Sequence, residues 1–233
     1  MSTCAVTLTA NAGLVLEWNA HTLWLDALHT GPVPGFSAVS PALWARMRSA
    51  LPPPELLCFT HCHPDHYDHT LAAEALALWP SARPVLPRQD FPQQLLLSGD
   101  EVRLSGGGLT LRFLRLLHEE PYGDVPHYGL LITDGAFRLL IAGDCAVASP
   151  ALTRHLEGRP VDLAILNFPW LTLGRGRRYV EEVLRPKHLL LCHLPFPEDD
   201  GNGYLEGARR AAGLSSLPDI RLLSRPLQRE LIG

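Results

Sequence analysis

The sequence predicts an α+β fold in which two mixed β-sheets stack face to face and carry helices on their outer faces. Three observations lead to this prediction. The first part of the chain consists of short apolar or alternating runs separated by turn residues, which indicates β-hairpins. A central block repeats this pattern, whereas the last third alternates strand-like and helix-like segments. With 233 residues, 46% of them hydrophobic, one domain over residues 1–233 is the simplest organisation.

The N-terminal region is predicted to combine hairpin strands with two helices. Ser40 provides an N-cap and Pro41 a first-turn proline for a helix over residues 41–51. A second helix is predicted over residues 70–79, where apolar residues dominate. The strands predicted in this region are residues 5–9, 13–18, 22–26 and 56–60.

The remaining elements change character along the chain. In the central block the predicted strands are residues 101–104, 109–117, 129–133 and 137–142, which pair naturally as hairpins. In the last third the predicted strands are residues 161–167, 188–192 and 220–223, and the predicted helices are residues 178–184 and 204–212. Two sheet-forming halves follow from this pattern.

Composition limits the partners of the protein. A net charge of −4 gives no overall attraction to nucleic acid or to anionic membranes, so we expect a small-molecule substrate and neither nucleic acid nor membrane as a partner. No apolar run approaches the roughly 20 residues of a membrane span, and the N-terminus lacks the features of a signal peptide. Five cysteines without a C-x-x-C pair fit a reducing compartment, so we expect a cytoplasmic location. Trp18, Trp24 and Trp44, expected at the surface, leave a homodimer open.

The most informative segment is the sequence THCHPDH at residues 60–66, directly after a predicted buried strand. In an extended segment alternate side chains share a side, so His61 and His63 project together, and the turn at the proline directs Asp65 and His66 to a neighbouring position. Imidazole nitrogens and carboxylate oxygens suit zinc, iron or manganese. This loop therefore predicts ligands for two adjacent metal ions.

Three further polar residues end strand-like runs downstream of this loop. His118 follows the apolar run that ends at residue 117, Asp144 follows the run 137–142 closely, and His193 directly follows the run 188–192. Residues at strand ends meet at one edge of a sheet, where a site stays accessible to substrate. These residues are candidates for the remaining metal ligands.

With these motifs in this order, the sequence resembles the metallo-β-lactamase superfamily of metal-dependent hydrolases over most of its length. The resemblance implies a four-layer αββα sandwich, the metallo-β-lactamase fold, with two divalent metal ions; we expect zinc, with manganese or iron as alternatives. Carried over residue by residue, it implies that His61, His63 and His118 hold one ion, that Asp65, His66 and His193 hold the other, and that Asp144 bridges them. Asp26 matches an early strand-end aspartate of the family and is expected to support the histidine loop by hydrogen bonds.

Some assignments remain open at this stage. His127 also precedes a strand and competes with His118 as the third ligand, although His118 is preferred because it ends a long strand. Cys62, Cys145 and Cys192 adjoin predicted ligands, but strand alternation turns them away from the site. The basic residues Arg175, Arg177 and Arg178 form either a solvated helix start or a clamp for an anionic substrate.

The implied chemistry is hydrolysis by a hydroxide that bridges the two metal ions. Asp65 is predicted to orient this hydroxide and His127 to protonate the leaving group, which makes both candidate catalytic residues. The preferred substrate is a small anionic ester or phosphodiester. Alternatives are a thioester or lactone hydrolase and an iron-dependent oxidoreductase of the same fold, similar to the sulfur dioxygenases.

Overall fold

The computed structural model describes residues 3–233 and divides the chain into two compact units, each built on one seven-stranded mixed sheet. The first unit comprises the chain up to Leu97 together with Pro195–Asn202 and Ser224–Gly233. The second unit comprises Ser98–Leu194 and Gly203–Leu223. The prediction of a single domain over residues 1–233 stays a prediction.

The sheet of the first unit joins an antiparallel half to a parallel half. Its strands are β1 (Cys4–Leu8), β2 (Leu14–Trp18), β3 (His21–Leu25), β4 (Leu56–Cys58), β5 (Arg83–Leu86), β6 (Leu95–Leu96) and β14 (Arg229–Ile232). They follow the order β14-β1-β2-β3-β4-β5-β6, antiparallel from β14 to β3 and parallel from β3 to β6. The four predicted strands of this region are confirmed, whereas β5, β6 and β14 were not predicted.

Two helices belong to this unit, α1 (Pro41–Ala50) and α2 (His69–Leu78), and both confirm predictions. Ser40 caps α1 as expected, because its hydroxyl accepts the backbone N–H of Leu43 over 3.1 Å. Trp44 of α1 packs with Trp24 of β3 and with Trp79, which directly follows α2; the ring centroids lie 5.1–6.3 Å apart in edge-on arrangements.

The expectation that tryptophans lie at the surface is wrong. Trp18, Trp24 and Trp44 are at most 5% exposed. Their burial has a physical reason, because a tryptophan ring gains most from contact with other apolar groups on a strand or on the inner face of a helix. They therefore offer no surface for the homodimer that the sequence left open, and that partner stays a prediction.

The sheet of the second unit also joins an antiparallel half to a parallel half. Its strands are β7 (Glu101–Gly106), β8 (Leu109–Arg115), β9 (Tyr128–Thr133), β10 (Arg138–Ile141), β11 (Leu163–Asn167), β12 (His188–Cys192) and β13 (Ile220–Leu222), in the order β13-β12-β11-β10-β9-β8-β7. Strands β7 to β10 are antiparallel and β10 to β13 are parallel. All seven strands were predicted from the sequence, with small shifts at their ends.

Helices of the second unit pack against its sheet in an apolar cluster that includes the fully buried Trp170. They are α3 (Pro150–Leu156), α4 (Pro169–Thr172), α5 (Gly174–Tyr179), a π-helical turn (Val180–Leu184) and α6 (Tyr204–Gly213). The predicted helix over 204–212 is confirmed, but the one over 178–184 is only the end of a longer helical segment. No helix formed by residues 3–233 combines the length and the apolar character needed to cross a membrane.

Candidate metal centre

The histidine loop of the first unit follows β4 and brings its four predicted ligands together. Nε2 of His61 lies 3.0 Å from Nδ1 of His63, and the rings of His61 and His66 have centroids 4.1 Å apart. Oδ2 of Asp65 lies 3.9 Å from Nε2 of His66. Nitrogens that share a tetrahedral zinc at 2.0–2.1 Å are about 3.3 Å apart, so the His61 and His63 nitrogens already have a spacing close to that of two ligands of one ion.

Asp26, which directly follows β3, holds the histidine loop through hydrogen bonds. Its Oδ1 accepts the backbone N–H of Thr60 over 2.7 Å, and its Oδ2 accepts the Thr60 hydroxyl over 2.6 Å and Nδ1–H of His66 over 2.9 Å. Asp26 is 2% exposed and has a left-handed backbone with a φ of 50°. A buried carboxylate in a strained conformation that accepts three hydrogen bonds confirms the expectation that Asp26 supports the loop.

These bonds also determine which nitrogen of each ring carries the proton. The Thr60 hydroxyl donates its only hydrogen to Asp26, so its oxygen accepts Nδ1–H of His61 over 2.9 Å. His66 likewise donates Nδ1–H to Asp26. Both rings therefore present the lone pair of Nε2, which is the form that binds a metal ion.

Asn11, in the turn between β1 and β2, contacts a predicted ligand and was not predicted as a site residue. The side chain is fully buried, and its Nδ2 lies 3.3 Å from both the backbone carbonyl and Oδ2 of Asp65. The turn reaches this position because Gly13 packs closely on the end of β3; an added Cβ would lie 2.8 Å from the Asp26 carbonyl. Asn11 thus orients a predicted ligand and catalytic residue.

In the second unit, two predicted histidine ligands converge on one carboxylate oxygen of a third, Asp144. Oδ2 of Asp144 lies 3.3 Å from Nε2 of His193 and 3.8 Å from Nε2 of His118. His118 donates Nδ1–H to the carbonyl of Glu119 over 2.9 Å, so its Nε2 also presents a lone pair. His193 follows β12 with a left-handed backbone, φ 55°, which marks a constrained position at the strand end.

His127 lies beside this group but in a different role. Its Nε2 accepts the backbone N–H of Asp144 over 3.0 Å, and the residue is fully buried. A lone pair that accepts this N–H is committed to the protein, so the geometry favours His118 over His127 as the third ligand. The predicted proton-donor role of His127 stays a prediction.

The three cysteines beside the ligands are small side chains, of which Cys62 is partly buried and Cys145 and Cys192 are buried. Burial raises the pKa of Cys62 to about 11, although its side chain is only partly buried. Burial, assisted by the nearby Asp144 and Glu119, also raises the pKa of Cys145 far above its usual range. Cys192 is buried and its Sγ lies 3.5 Å from the Leu166 carbonyl. These contacts agree with small packing residues.

A family model described as the beta-lactamase superfamily domain matches residues 28–173, which is more than half of the chain. The chain belongs to the β-lactamase superfamily. The matched residues include His61, His63, Asp65, His66, His118 and Asp144. None of the curated proteins matches the sequence of this superfamily member.

Solved structures of other proteins share its fold. The metallo-β-lactamase fold protein YhfI from Bacillus subtilis is 15% identical and matches 100% of both chains with a TM-score of 0.72. Igni18, a metallo hydrolase from Ignicoccus hospitalis, is 16% identical and matches 99% of both chains with a TM-score of 0.67. The diiron β-hydroxylase CmlA from Streptomyces venezuelae is 18% identical, with 98% of this chain and 54% of that chain covered and a TM-score of 0.57. These likenesses confirm the predicted metallo-β-lactamase fold class.

The superfamily implies divalent metal ions, and the donor set of this chain fits them. Three imidazoles, those of His61, His66 and His118, present Nε2 because Nδ1 is held by the protein. Asp65 and Asp144 add carboxylate oxygens, so nitrogen and oxygen donors are both present, as zinc, manganese and iron prefer.

Proposed function

We propose that this member of the superfamily is a hydrolase that uses two divalent metal ions, preferably zinc, to cleave a small anionic ester or phosphodiester. The observation that carries the proposal is the histidine loop, in which Asp26 fixes Thr60 and His66 while the His61 and His63 nitrogens stand 3.0 Å apart. The seven ligands are those that the family pattern gives: His61, His63, Asp65, His66, His118, Asp144 and His193.

The protein residues prepare the site before any substrate arrives. Two divalent ions, when bound, lower the pKa of a shared water molecule and polarise the oxygen of the scissile bond. Asp26 keeps His61 and His66 in the tautomers that expose Nε2, so no proton has to move on binding. Asn11 holds Asp65 in place, and Asp65 is proposed to accept a hydrogen bond from the attacking water.

The preference for an anionic substrate follows from charge. Two divalent ions concentrate positive charge in the site, which attracts ester or phosphodiester groups that bear negative oxygens. The net charge of −4 provides no long-range attraction for a nucleic acid, so a small molecule is the proposed substrate. We also propose a cytoplasmic location, supported by five free cysteines.

Metal content and hydrolysis together test this proposal. Elemental analysis of the purified protein should give about two ions of zinc or manganese per chain, and the loaded protein should hydrolyse model phosphodiesters or carboxylic esters. His61→Ala and Asp144→Ala should lose both metal and activity. His21→Ala is the matched control, because His21 pairs with the surface residue Glu55 over 2.7 Å and should keep both. Full metal content in both ligand variants would refute the ligand assignment.

The second candidate function is an iron-dependent oxidoreductase of the same fold. The diiron β-hydroxylase among the similar structures makes iron a concrete alternative for this scaffold. Predominant iron in the purified protein, together with oxygen consumption and no hydrolysis of phosphodiesters, thioesters or lactones, would favour this alternative. Thioester or lactone hydrolysis by a zinc-loaded protein would instead keep the hydrolase and change only the substrate.

A further inference from the structure

The loops that carry His118 and Asp144 are joined to each other within the second unit. The backbone N–H of Glu119 donates to the Asp144 carbonyl over 2.9 Å, and the N–H of Ala146 donates to the Leu117 carbonyl over 2.8 Å. These two bonds set the two loops side by side, with the predicted ligands on adjacent segments. These bonds form an isolated bridge outside the strands of the sheet, so the spacing of the ligands also depends on what else fixes the loops.

His127 accepts the Asp144 N–H, and the side chain of Glu119 provides a further link. Its Oε2 accepts the backbone N–H of Val147 over 2.8 Å, and its Oε1 accepts Nη2–H of Arg175 over 2.8 Å. Both oxygens of one carboxylate are thus engaged, one by the Asp144 loop and the other by helix α5. Charge-assisted bonds of this length are stronger than bonds between neutral groups.

Gly176 explains how Arg175 reaches Glu119. A Cβ added at this position would lie 2.6 Å from the Trp170 carbonyl and 2.7 Å from Cγ1 of Val147. Only glycine allows helix α5 to approach Val147 so closely, and this approach places the neighbouring Arg175 over the Glu119 carboxylate. Gly176 and Arg175 of the basic run therefore have a specific structural use.

We propose that Glu119, held by Arg175, is a positioning residue that fixes the distance between His118 and Asp144 and so raises the affinity of the site for divalent metal ions. The inference rests on the proposed function, because it takes His118 and Asp144 as ligands. Arg175 acts through Glu119: without the guanidinium, the carboxylate is free to leave the Val147 N–H and the Asp144 loop loses its link to His118. Outer groups that orient ligands act on metal affinity in this way.

The test compares the zinc affinity of full-length variants, and a second arginine of the same helix serves as the matched control. Zinc affinity is measured by competition with a chromophoric chelator for the wild type, Glu119→Gln, Arg175→Ala, Arg175→Lys and the double variant, with Arg178→Ala as the control from the exposed side of the same helix. We expect a loss of roughly 10-fold for Glu119→Gln and of roughly 2- to 5-fold for Arg175→Ala, because the Arg175 side chain is 57% exposed and solvent weakens its ion pair with Glu119. Arg175→Lys should recover part of the loss, since it keeps one cationic donor. Arg178→Ala should bind zinc like the wild type.

Two further measurements separate a positioning role from general destabilisation. When Arg175→Ala is added to Glu119→Gln, the zinc affinity should fall by less than about a further two-fold, because both changes break the same link. In the metal-free protein, hydrogen exchange of the Val147 amide should become faster in Arg175→Ala and in Glu119→Ala, which removes both acceptor oxygens, and stay unchanged in Arg178→Ala. If Glu119→Gln does not fold, the Arg175→Ala and Arg175→Lys pair carries the same comparison.

The outcomes distinguish this inference from the proposed function. A wild-type protein that binds zinc, with Glu119→Gln and Arg175→Ala binding equally tightly, would overturn the positioning role and leave the hydrolase intact. Additive losses in the double variant would also overturn it. A wild-type protein that binds no zinc, manganese or iron would overturn the proposed function, and the metal-affinity role of Glu119 with it.

Discussion

Oδ2 of Asp26 lies 2.9 Å from Nδ1 of His66, and the same oxygen accepts the hydroxyl of Thr60 over 2.6 Å. One carboxylate oxygen thus sets the tautomer of His66 directly and that of His61 through Thr60. The arrangement links the end of β3 to the histidine loop across a separation of 34 to 40 residues in sequence. The state of two predicted ligands therefore depends on a residue that is not itself a ligand.

Asp26→Asn should weaken metal binding without removing any ligand. The amide nitrogen that replaces Oδ2 cannot accept Nδ1–H of His66, so this ring is driven to the tautomer that carries the proton on Nε2. We expect roughly a 10- to 100-fold loss of zinc affinity, measured by chelator competition.

Asp219→Asn is the control for this change. Oδ2 of Asp219 also lies within hydrogen-bond distance, 2.7 Å, of Nδ1 of a histidine, His188, but Asp219 belongs to no predicted site. Zinc affinity should not change in this control. Equal affinity of Asp26→Asn and the wild type would show that the tautomer is not held by Asp26.

Asn11→Gly tests whether Asn11 orients Asp65. The residue has a left-handed backbone with a φ of 51°, which glycine adopts readily, so the change removes the side-chain bonds to Asp65 without straining the turn. We expect roughly a ten-fold loss of metal affinity or of hydrolysis. Asn19→Gly is a matched control, since Asn19 has a φ of 50° in an exposed turn. If the two glycine variants behave alike, Asn11 has no role in the site.

Local signals explain how much of this molecule could be predicted from its sequence. The helix α1 was predicted because Ser40 and Pro41 act within one turn, and the strands were predicted because apolar alternation is a local pattern. The histidine loop was predicted for the same reason, as its four candidate ligands lie within six residues. Strand ends then indicated His118, Asp144 and His193.

The features that were missed depend on distant partners. Asn11 contacts Asp65 across 54 residues, and β14 pairs with β1 at the opposite end of the chain, so neither could be inferred from neighbouring sequence. Helix α5 was missed because its Gly-Arg-Gly start has low helix propensity, which the packing of Gly176 on Trp170 overrides. Glu119 carries no local signal; only Arg175, 56 residues later, reveals its use.

Metal removal should lower the thermal stability of the protein. An ion present at 100 times its dissociation constant stabilises the folded state by about 2.7 kcal/mol, which for a chain of this size corresponds to a fall in Tm of roughly 5–10 °C on chelation. The measurement is a thermal melt with zinc and with excess chelator. His21→Ala should respond like the wild type, whereas His61→Ala should show little difference between the two conditions. A wild-type Tm that is independent of zinc would contradict the proposed metal centre.

A last prediction concerns the pH dependence of stability and involves Glu101, which belongs to no predicted site. Its carboxylate accepts Nε–H and Nη2–H of Arg112 over 3.0 and 2.8 Å, and these bonds, with Arg103 nearby, hold the pKa of Glu101 below its usual range despite partial burial. A carboxyl group with a lowered folded pKa stabilises the protein above its unfolded pKa, and this contribution is lost as the pH falls. Glu101→Gln should therefore lower the free energy of unfolding by about 1 kcal/mol at pH 7 and by much less near pH 3.5.

Urea unfolding of the metal-free protein at both pH values measures this difference without interference from metal loss. His155, whose Nδ1 lies 3.8 Å from Glu101, has a pKa lowered chiefly by burial and is neutral at pH 7, so the value at pH 7 reports the arginine contacts. Glu206→Gln is the control, because Glu206 and its partner Arg210 are largely exposed and their pair should contribute close to nothing at either pH. A Glu101→Gln penalty that is equal at both pH values would mean that packing, and not the ionised carboxylate, links β7 to β8 at this point.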